Sequence, residues 1–525
     1  MKPFIRAGSV VLFSTGTAGM AIAASVAPAE ARNTQQPEQT TGKPNIIFIL
    51  ADDMGYAEAG CYGQKLIETP NIDALAARGV RFTDAYSGSP VSAPSRCSML
   101  TGLNAGHAYI RDNDEWAERG EVWNYAKVSE DINLEGQRPI PENSVTIPKL
   151  LKAQGYATGC FGKWGLGSPI SEGAPQRQGF DEFYGFNCQR QAHSYFPNHL
   201  WRNDQRVMLN NRIIAPGTKL PEGADPNDPR SYDIFFQKDY AAELFLTESM
   251  AFIERNASHP FFIFFSTTVP HKPIQAPQRL VERYVEKFGD EKPYTGGSYY
   301  PCRYPAATYA AMVSYLDEQV GLFVDKLKEL GIYDNTVIVF ASDNGPSYMA
   351  DHFQSAAPFS SEGSRIKGTL YEGGIRVPLV VAWGDRLTPG RVSHLPVALY
   401  DLMPTFCQIA GSPTAPAQTD GISLLPEIVG REGQLQHKYL YWEFASGGGQ
   451  QAVRMGRWKG LRTGINRNGN MNIQLFDLEN DPQESTDLAG AHPDIVARMS
   501  EVMASSRTRP ALPIFYLNPF DKIQP

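Results

Sequence analysis

The sequence predicts an α/β fold: a large, mostly parallel sheet flanked by helices, followed by a smaller C-terminal antiparallel sheet plus helix. Three observations predict it. Predominantly apolar runs recur at 45–50, 156–161, 261–265, 336–341 and 378–383, the pattern of strands buried on both faces. Segments with helical start and stop signals fall between them, and alternation of this kind implies a parallel sheet. Past residue 430 the runs shorten and are split by turns, as in a small antiparallel sheet.

Each element follows from its residues. Ile46-Ile47-Phe48-Ile49-Leu50 is a buried strand ending at Ala51-Asp52-Asp53. A helix is expected over 70–78, with Thr69 as cap, Pro70 in the first turn and Gly79 past the end. A strand at 80–86, a helix at 147–155, the strand at 156–161 and the strand at 261–265 follow. Residues 306–330 carry helical apolar spacing and stop at Gly331, after which 336–341 and 378–383 are strands. Short strands at 439–444, 451–455, 458–461 and 474–478, then a helix at 493–504, complete the chain. The expected organisation is a leader (1–31), a linker (32–43), a catalytic domain (44–430) and a C-terminal subdomain (431–525).

The 525 residues suffice for one large domain and a smaller one. The net charge of −8, with no basic cluster, argues against a nucleic-acid partner, which needs a positive stripe. Lys2 and Arg6, an apolar small-residue stretch over 10–27 and Ala29-Glu30-Ala31 form an export signal, so the expected location is periplasmic or secreted. Ser14-Thr15-Gly16-Thr17 breaks that stretch, and no later run reaches the ~20 apolar residues of a membrane span. Six cysteines (Cys61, Cys97, Cys160, Cys188, Cys302, Cys407) include no C-x-x-C pair, which argues against a zinc ribbon. Export permits disulfides, and buried free thiols are the alternative.

Four polar groups fall at predicted strand ends, where ligands sit in open α/β sheets. They are Asp52-Asp53, Lys163 in Gly162-Lys163-Trp164, His271 in Val269-Pro270-His271, and Asp343-Asn344 in Ser342-Asp343-Asn344-Gly345. Singly, each has a structural reading: a helix cap, a solvated loop histidine, an Asp-Asn-Gly turn. Jointly they assemble a site. Asp52, Asp53, Asp343 and Asn344 are hard oxygen donors, which suit Ca²⁺ or Mg²⁺ rather than a soft metal. Lys367 lies in a Gly-rich loop before Glu372-Gly373-Gly374, where an ammonium and backbone can both approach an anion. Arg376, leading into the next strand, is read as structural.

Ser92-Ala93-Pro94-Ser95-Arg96 completes the set. If Ser92 opens a helix that Thr101-Gly102 closes, Arg96 returns to the same face at i+4. This stretch resembles the signature of the formylglycine-dependent sulfatases, whose first Ser or Cys is oxidised to an aldehyde. With the other motifs in the same order, the chain from about Lys43 onward resembles a type I sulfatase of the alkaline-phosphatase-like superfamily, serine-type. The resemblance implies that Asp52, Asp53, Asp343 and Asn344, with the modified Ser92, hold a divalent cation, usually calcium. It implies that Ser92 becomes formylglycine (3-oxoalanine), one hydroxyl of whose hydrate attacks sulfur while the other later expels sulfate. Arg96 and Lys163 hold that hydrate. Lys163, His271 and Lys367 contact the sulfate, and His271 protonates the leaving alcohol.

Two departures from the family pattern stand out. The family commonly carries His two residues after the lysine, where this chain has Gly165. That histidine is thought to take the hydrate proton, and His193 is the expected substitute, or else a substrate contact. The serine in place of cysteine implies a radical-type sulfatase-maturating enzyme as partner. The segment 189–212 (Tyr195, Phe196, His199, Trp201, Arg202, Arg212) and a Gly/Pro-broken insertion at 284–304 are aromatic-rich. They read either as sugar platforms or as packing of long loops. The expected substrate is a sulfated carbohydrate. Two rivals are a phosphatase or phosphodiesterase of the same superfamily, and a sulfated-glycan binding protein that has lost turnover.

Overall fold

Strand β1 (Asn45–Ala51) is buried along its whole length. Ile47, Ile49 and Ala51 enter one hydrophobic cluster, and Ile46, Phe48 and Leu50 enter another on the opposite face. Successive side chains of a strand point to opposite faces, so a strand covered on both sides must be apolar throughout. The computed structural model describes residues 42–412 and 418–522. The expected leader and nearly all of the expected linker lie outside the described residues.

The other strands are β2 (Val80–Phe82), β3 (Ala85–Tyr86), β4 (Ala157–Lys163), β5 (Glu182–Phe186), β6 (His199–Arg202), β7 (Gln205–Met208), β8 (Phe261–Ser266), β9 (Thr336–Ser342), β10 (Leu379–Trp383), β11 (Arg391–Ser393) and β12 (Val397–Ala398). The large sheet has ten strands in the order β11-β2-β10-β9-β1-β8-β4-β5-β6-β7. Its centre, β9-β1-β8-β4-β5, is parallel throughout. β8 and β9 divide their side chains between the same two clusters as β1. A second sheet, β13 (Leu440–Phe444), β14 (Gln450–Met455), β15 (Trp458–Thr463) and β16 (Gln474–Asp477), is antiparallel. Met499 and Met503 of helix Pro493–Ser505 pack on its Val453 and Leu475. A hydrophobic cluster of Tyr86, Leu370, Ile375 and Tyr400 with Leu440, Trp442 and Phe476 packs this antiparallel sheet against the two-stranded β12-β3 sheet and its neighbouring loops.

The differences from expectation are local. The strand at 80–86 is two strands, β2 and β3, on different sheets. Lys163 does not follow its strand but ends it. Thr69 makes no side-chain cap to its helix; its hydroxyl accepts from Gly60 N and donates to Asp73 Oδ1. β10 runs antiparallel to both neighbours. Much of the aromatic segment 189–212 packs the fold: Tyr195, Phe196 and Trp201 are buried, and His199 faces Glu135. Tyr284 likewise sits buried in helix Gln278–Phe288. All six cysteines are free thiols, buried except for the partly exposed Cys61. Among the described residues no helix is long and apolar enough to cross a membrane.

Candidate active site

Parallel pairing forces the strand ends to one edge. Ala51 of β1 is level with Ser342 of β9, Leu50 with Ser266 of β8, and Gly162 of β4 with Ser266. The residues that follow, Asp52-Asp53, Asp343-Asn344 and Lys163, therefore converge, and all are buried. A close backbone approach supports this edge. A Cβ on Gly345 would lie 2.1 Å from Gly373 O, so the Asp343-Asn344-Gly345 and Glu372-Gly373-Gly374 turns pack only as glycines. Behind them Glu372 accepts from Tyr86, Arg376 and Lys459, which confirms Arg376 as a structural residue.

Ser92 opens helix Ser92–Thr101, which Gly102 ends at φ 70° in the left-handed conformation usual for a helix stop. The helix N-terminus, with its partial positive charge, faces the strand ends. Ser92 Oγ is 3.1 Å from Asp52 Oδ1, 3.5 Å from Asn344 Oδ1 and 3.2 Å from Lys163 Nζ. One turn on, Arg96 is fully buried and donates to Asp343 Oδ2 from Nε at 3.2 Å and Nη2 at 2.9 Å. Its Nη1 donates to the Lys163 carbonyl at 2.8 Å and to Ser266 Oγ. It thus clamps the ends of β4, β8 and β9 together.

Asp53 has the densest surroundings. Lys367 Nζ and Asn344 Nδ2 donate to its Oδ1, and Ser347 Oγ to its Oδ2. His271 Nε2 lies 3.5 Å from Oδ2. Burial pushes the Asp53 carboxyl up, but Lys367, His271 and the Ser347 hydroxyl together more than offset this and hold it well below the usual carboxylate range. Burial, with Asp52 alongside, raises Asp343. Lys163 donates to Asp52 Oδ2 at 2.7 Å, and burial lowers its pKa. Asp53 raises the Lys367 pKa above its ordinary value despite burial. His271 is pushed down to about 3 by burial, helped by Lys367 and Lys163, so its ring is neutral at pH 7 in this state. Its Nδ1 faces the Lys272 carbonyl, an acceptor only, so the ring proton sits on Nδ1 and Nε2 is left to the site.

Three carboxylates (Asp52, Asp53, Asp343) thus face three cations (Arg96, Lys163, Lys367). The set is neutral by itself. Asp52, Asp53, Asp343 and the amide oxygen of Asn344 fit a hard divalent cation, which would leave a surplus of two positive charges to receive an anionic ester. Ligand-capable atoms of Asp52, Asp53 and His271 lie within 4.8 Å of one another.

His193 is brought to the site beside His271, with the rings stacked at 5.4 Å between centroids. Burial, followed by the neighbouring His271 and Lys163, keeps its pKa well below the ordinary histidine value. Gly165 faces the side chains of Gln137 and Gln189. A Cβ there would lie 3.4 Å from Gln137 Oε1 and from Gln189 Cγ and Nε2, and Gly165 has φ +78°. Restoring the family histidine by Gly165→His is expected to destabilise the fold by about 1–2 kcal/mol from the left-handed backbone alone, read as a lower denaturant midpoint. Sequence reasoning missed Ser347, Ser266, Lys272, Tyr299 and Asn113, whose Oδ1 accepts from Ala93 N at 2.9 Å. Lys272, next to His271, and Ser347, three residues after Asn344, were the two within reach of sequence reading.

A sheet edge that gathers a helix-borne hydroxyl, hard oxygen donors and paired cations defines a hydrolase of charged esters. Comparison with known proteins narrows the class. Residues 44–412 match the family model described as Sulfatase, and 364–509 match that described as N-sulphoglucosamine sulphohydrolase, C-terminal. The chain is 28% identical over 492 residues to N-acetylgalactosamine-6-sulfatase of Homo sapiens, across 87% of this chain and 84% of that protein. It is 25% identical over 548 residues to N-acetylgalactosamine-6-O-sulfatase of Bacteroides thetaiotaomicron, across 90% and 94%. The crystal structure of Ps i-CgsB in complex with k-i-k-neocarrahexaose aligns with a TM-score of 0.69 at 28% identity, covering 89% of this chain and 94% of that one. The chain belongs to the sulfatase family and is a hydrolase of sulfate esters on an alkaline-phosphatase-like fold.

Proposed function

We propose that the chain is an exported sulfatase acting on a sulfated carbohydrate, with formylglycine made from Ser92 by a radical-type maturating enzyme and a calcium ion held by Asp52, Asp53, Asp343, Asn344 and the modified Ser92. The observation that carries this reading is the position of Ser92 Oγ, within 3.5 Å of Asp52, Asn344 and Lys163 at once. The carbohydrate is supported by the sugar sulfatases among the relatives and by the oligosaccharide-bound structural neighbour. Export is supported by the leader read at 1–31.

A hydrated aldehyde at Ser92 would supply a nucleophile stronger than a serine hydroxyl, which needs a neighbouring base. A divalent cation would neutralise charge developing on the sulfate oxygens. The chain's own residues do the rest. Arg96 fixes Asp343 and the end of β4, so that Lys163 reaches both Ser92 and Asp52. Lys163 and Lys367 face a bound sulfate group. His271 keeps its Nδ1 proton on the Lys272 carbonyl and delivers a second proton from Nε2 to the leaving oxygen; an anionic ester beside that nitrogen favours its protonation.

His193, stacked on His271, contacts the substrate or shares the acid–base work lost at Gly165. His193→Ala is expected to lower kcat by more than tenfold, since acid–base groups contribute ~10²–10⁴; unchanged kinetics would remove it from the mechanism. The reading as a whole is tested by incubating matured protein with sulfated sugars and the matching phosphate esters. Sulfate release that is lost with chelator and restored by calcium is the expected result. Phosphate release without sulfate release would overturn it.

A further inference from the structure

Lys272 follows His271 directly, yet its ammonium is unlike the other cations of the site. Arg96, Lys163 and Lys367 each donate to a carboxylate. Lys272 Nζ has no hydrogen-bond or ion-pair partner among the described residues. It lies over the faces of two tyrosines, 5.0 Å from the Tyr299 centroid and 5.4 Å from that of Tyr348. Asp53, the carboxylate with most influence on it, is already occupied by Lys367, Asn344 and Ser347. Burial disfavours its charge, while Asp53 and the two cation–π contacts favour it. The side chain remains partly exposed, so an incoming group can reach it.

Its position relative to the leaving group gives this surplus charge a use. Tyr299 packs edge-on against both His193 and His271, at 5.1 and 6.0 Å between centroids. His271 delivers its proton to the oxygen joining sulfate to sugar. The sugar therefore leaves beside the His271–His193–Tyr299 group, and the Lys272 ammonium lies over the ring of that same Tyr299. We propose that Lys272 binds a second anionic group of the substrate, a sulfate or carboxylate on the same sugar or its neighbour, and so selects multiply charged saccharides over singly sulfated ones. The inference deepens the sulfated-carbohydrate reading above and rests on it.

Binding separates this idea from turnover. In full-length Ser92→Ala protein with calcium, affinities are measured for mono- and disulfated galactose, N-acetylgalactosamine and glucosamine, and for monosulfated disaccharides carrying a uronate. Disulfated or uronate-bearing saccharides are expected to bind more tightly than the monosulfated ones. Adding Lys272→Met should weaken the doubly charged ligands about tenfold, the loss of one charge-assisted contact, and leave the singly charged ones within about twofold. Lys272→Arg should restore the preference. The disulfated and uronate arms report which anion is taken. Equal weakening of singly and doubly charged ligands would make Lys272 a brace for Tyr299 and overturn the proposal, as would no weakening or no binding of any saccharide. If charge-selective binding depends on Lys272 while matured wild-type protein releases no sulfate, the enzymatic reading fails and this inference stands.

Discussion

Ser92→Ala protein is expected to fold normally and to lose sulfate release by a factor on the order of 10⁴ or more, as removal of a nucleophile does elsewhere. None of its three contacts is expected to take over, since Asp52 and Asn344 hold the cation in this account. The neighbouring oxygens of Asp52 and Asn344 are acceptors at the same edge, and Lys163 is a donor already committed to Asp52. The hydroxyl makes only three polar contacts, so its loss should cost no more than about 1–2 kcal/mol of stability. Sulfate release measured by ion chromatography, with a denaturant melt on the same sample, checks both halves. Residual turnover within tenfold of wild type would show that another group attacks the ester.

Arg96→Met is expected to do the opposite in stability terms, lowering unfolding free energy by about 3–5 kcal/mol, the usual penalty for breaking a buried ion pair. The guanidinium is 0% exposed and Asp343 1%. Its removal leaves Asp343 Oδ2 without its two guanidinium hydrogen bonds and the Lys163 carbonyl with only the Ser266 hydroxyl as donor. The ends of β4 and β9 lose the clamp that aligns Lys163 with Asp343, so activity should fall as well. Lys367→Met is the control. Its side chain is 18% exposed and it contacts Asp53 from a loop, so it should lose turnover with a far smaller change in stability. Equal denaturant midpoints for Arg96→Met and wild type would contradict the clamp.

The sheet and the site were legible to different depths. Ile46 to Leu50 and Phe261 to Phe265 admit little but a doubly covered strand, and once four such strands run parallel their polar ends must meet. That is why Asp52, Lys163, His271 and Asp343 could be grouped from their joint place after predicted strands. Strand direction was not legible for Leu379–Trp383, because a buried antiparallel strand carries the same apolar run as a parallel one. The aromatic segment around Tyr195 and Trp201 read equally as platform or core, since side-chain type does not say which face of a twisted hairpin is covered. Lys272 and Tyr299 come from loops far apart in sequence, and no local pattern announces their contact.

The central claim is that an oxidised Ser92 attacks the sulfate ester within this pocket. Peptide mass spectrometry across residues 87–103 of protein purified with its sulfatase activity tests it most directly. The account predicts a Ser92 peptide lighter by two hydrogens, in a proportion that tracks specific activity between preparations. Fully active protein whose Ser92 peptide has the mass of unmodified serine would contradict it.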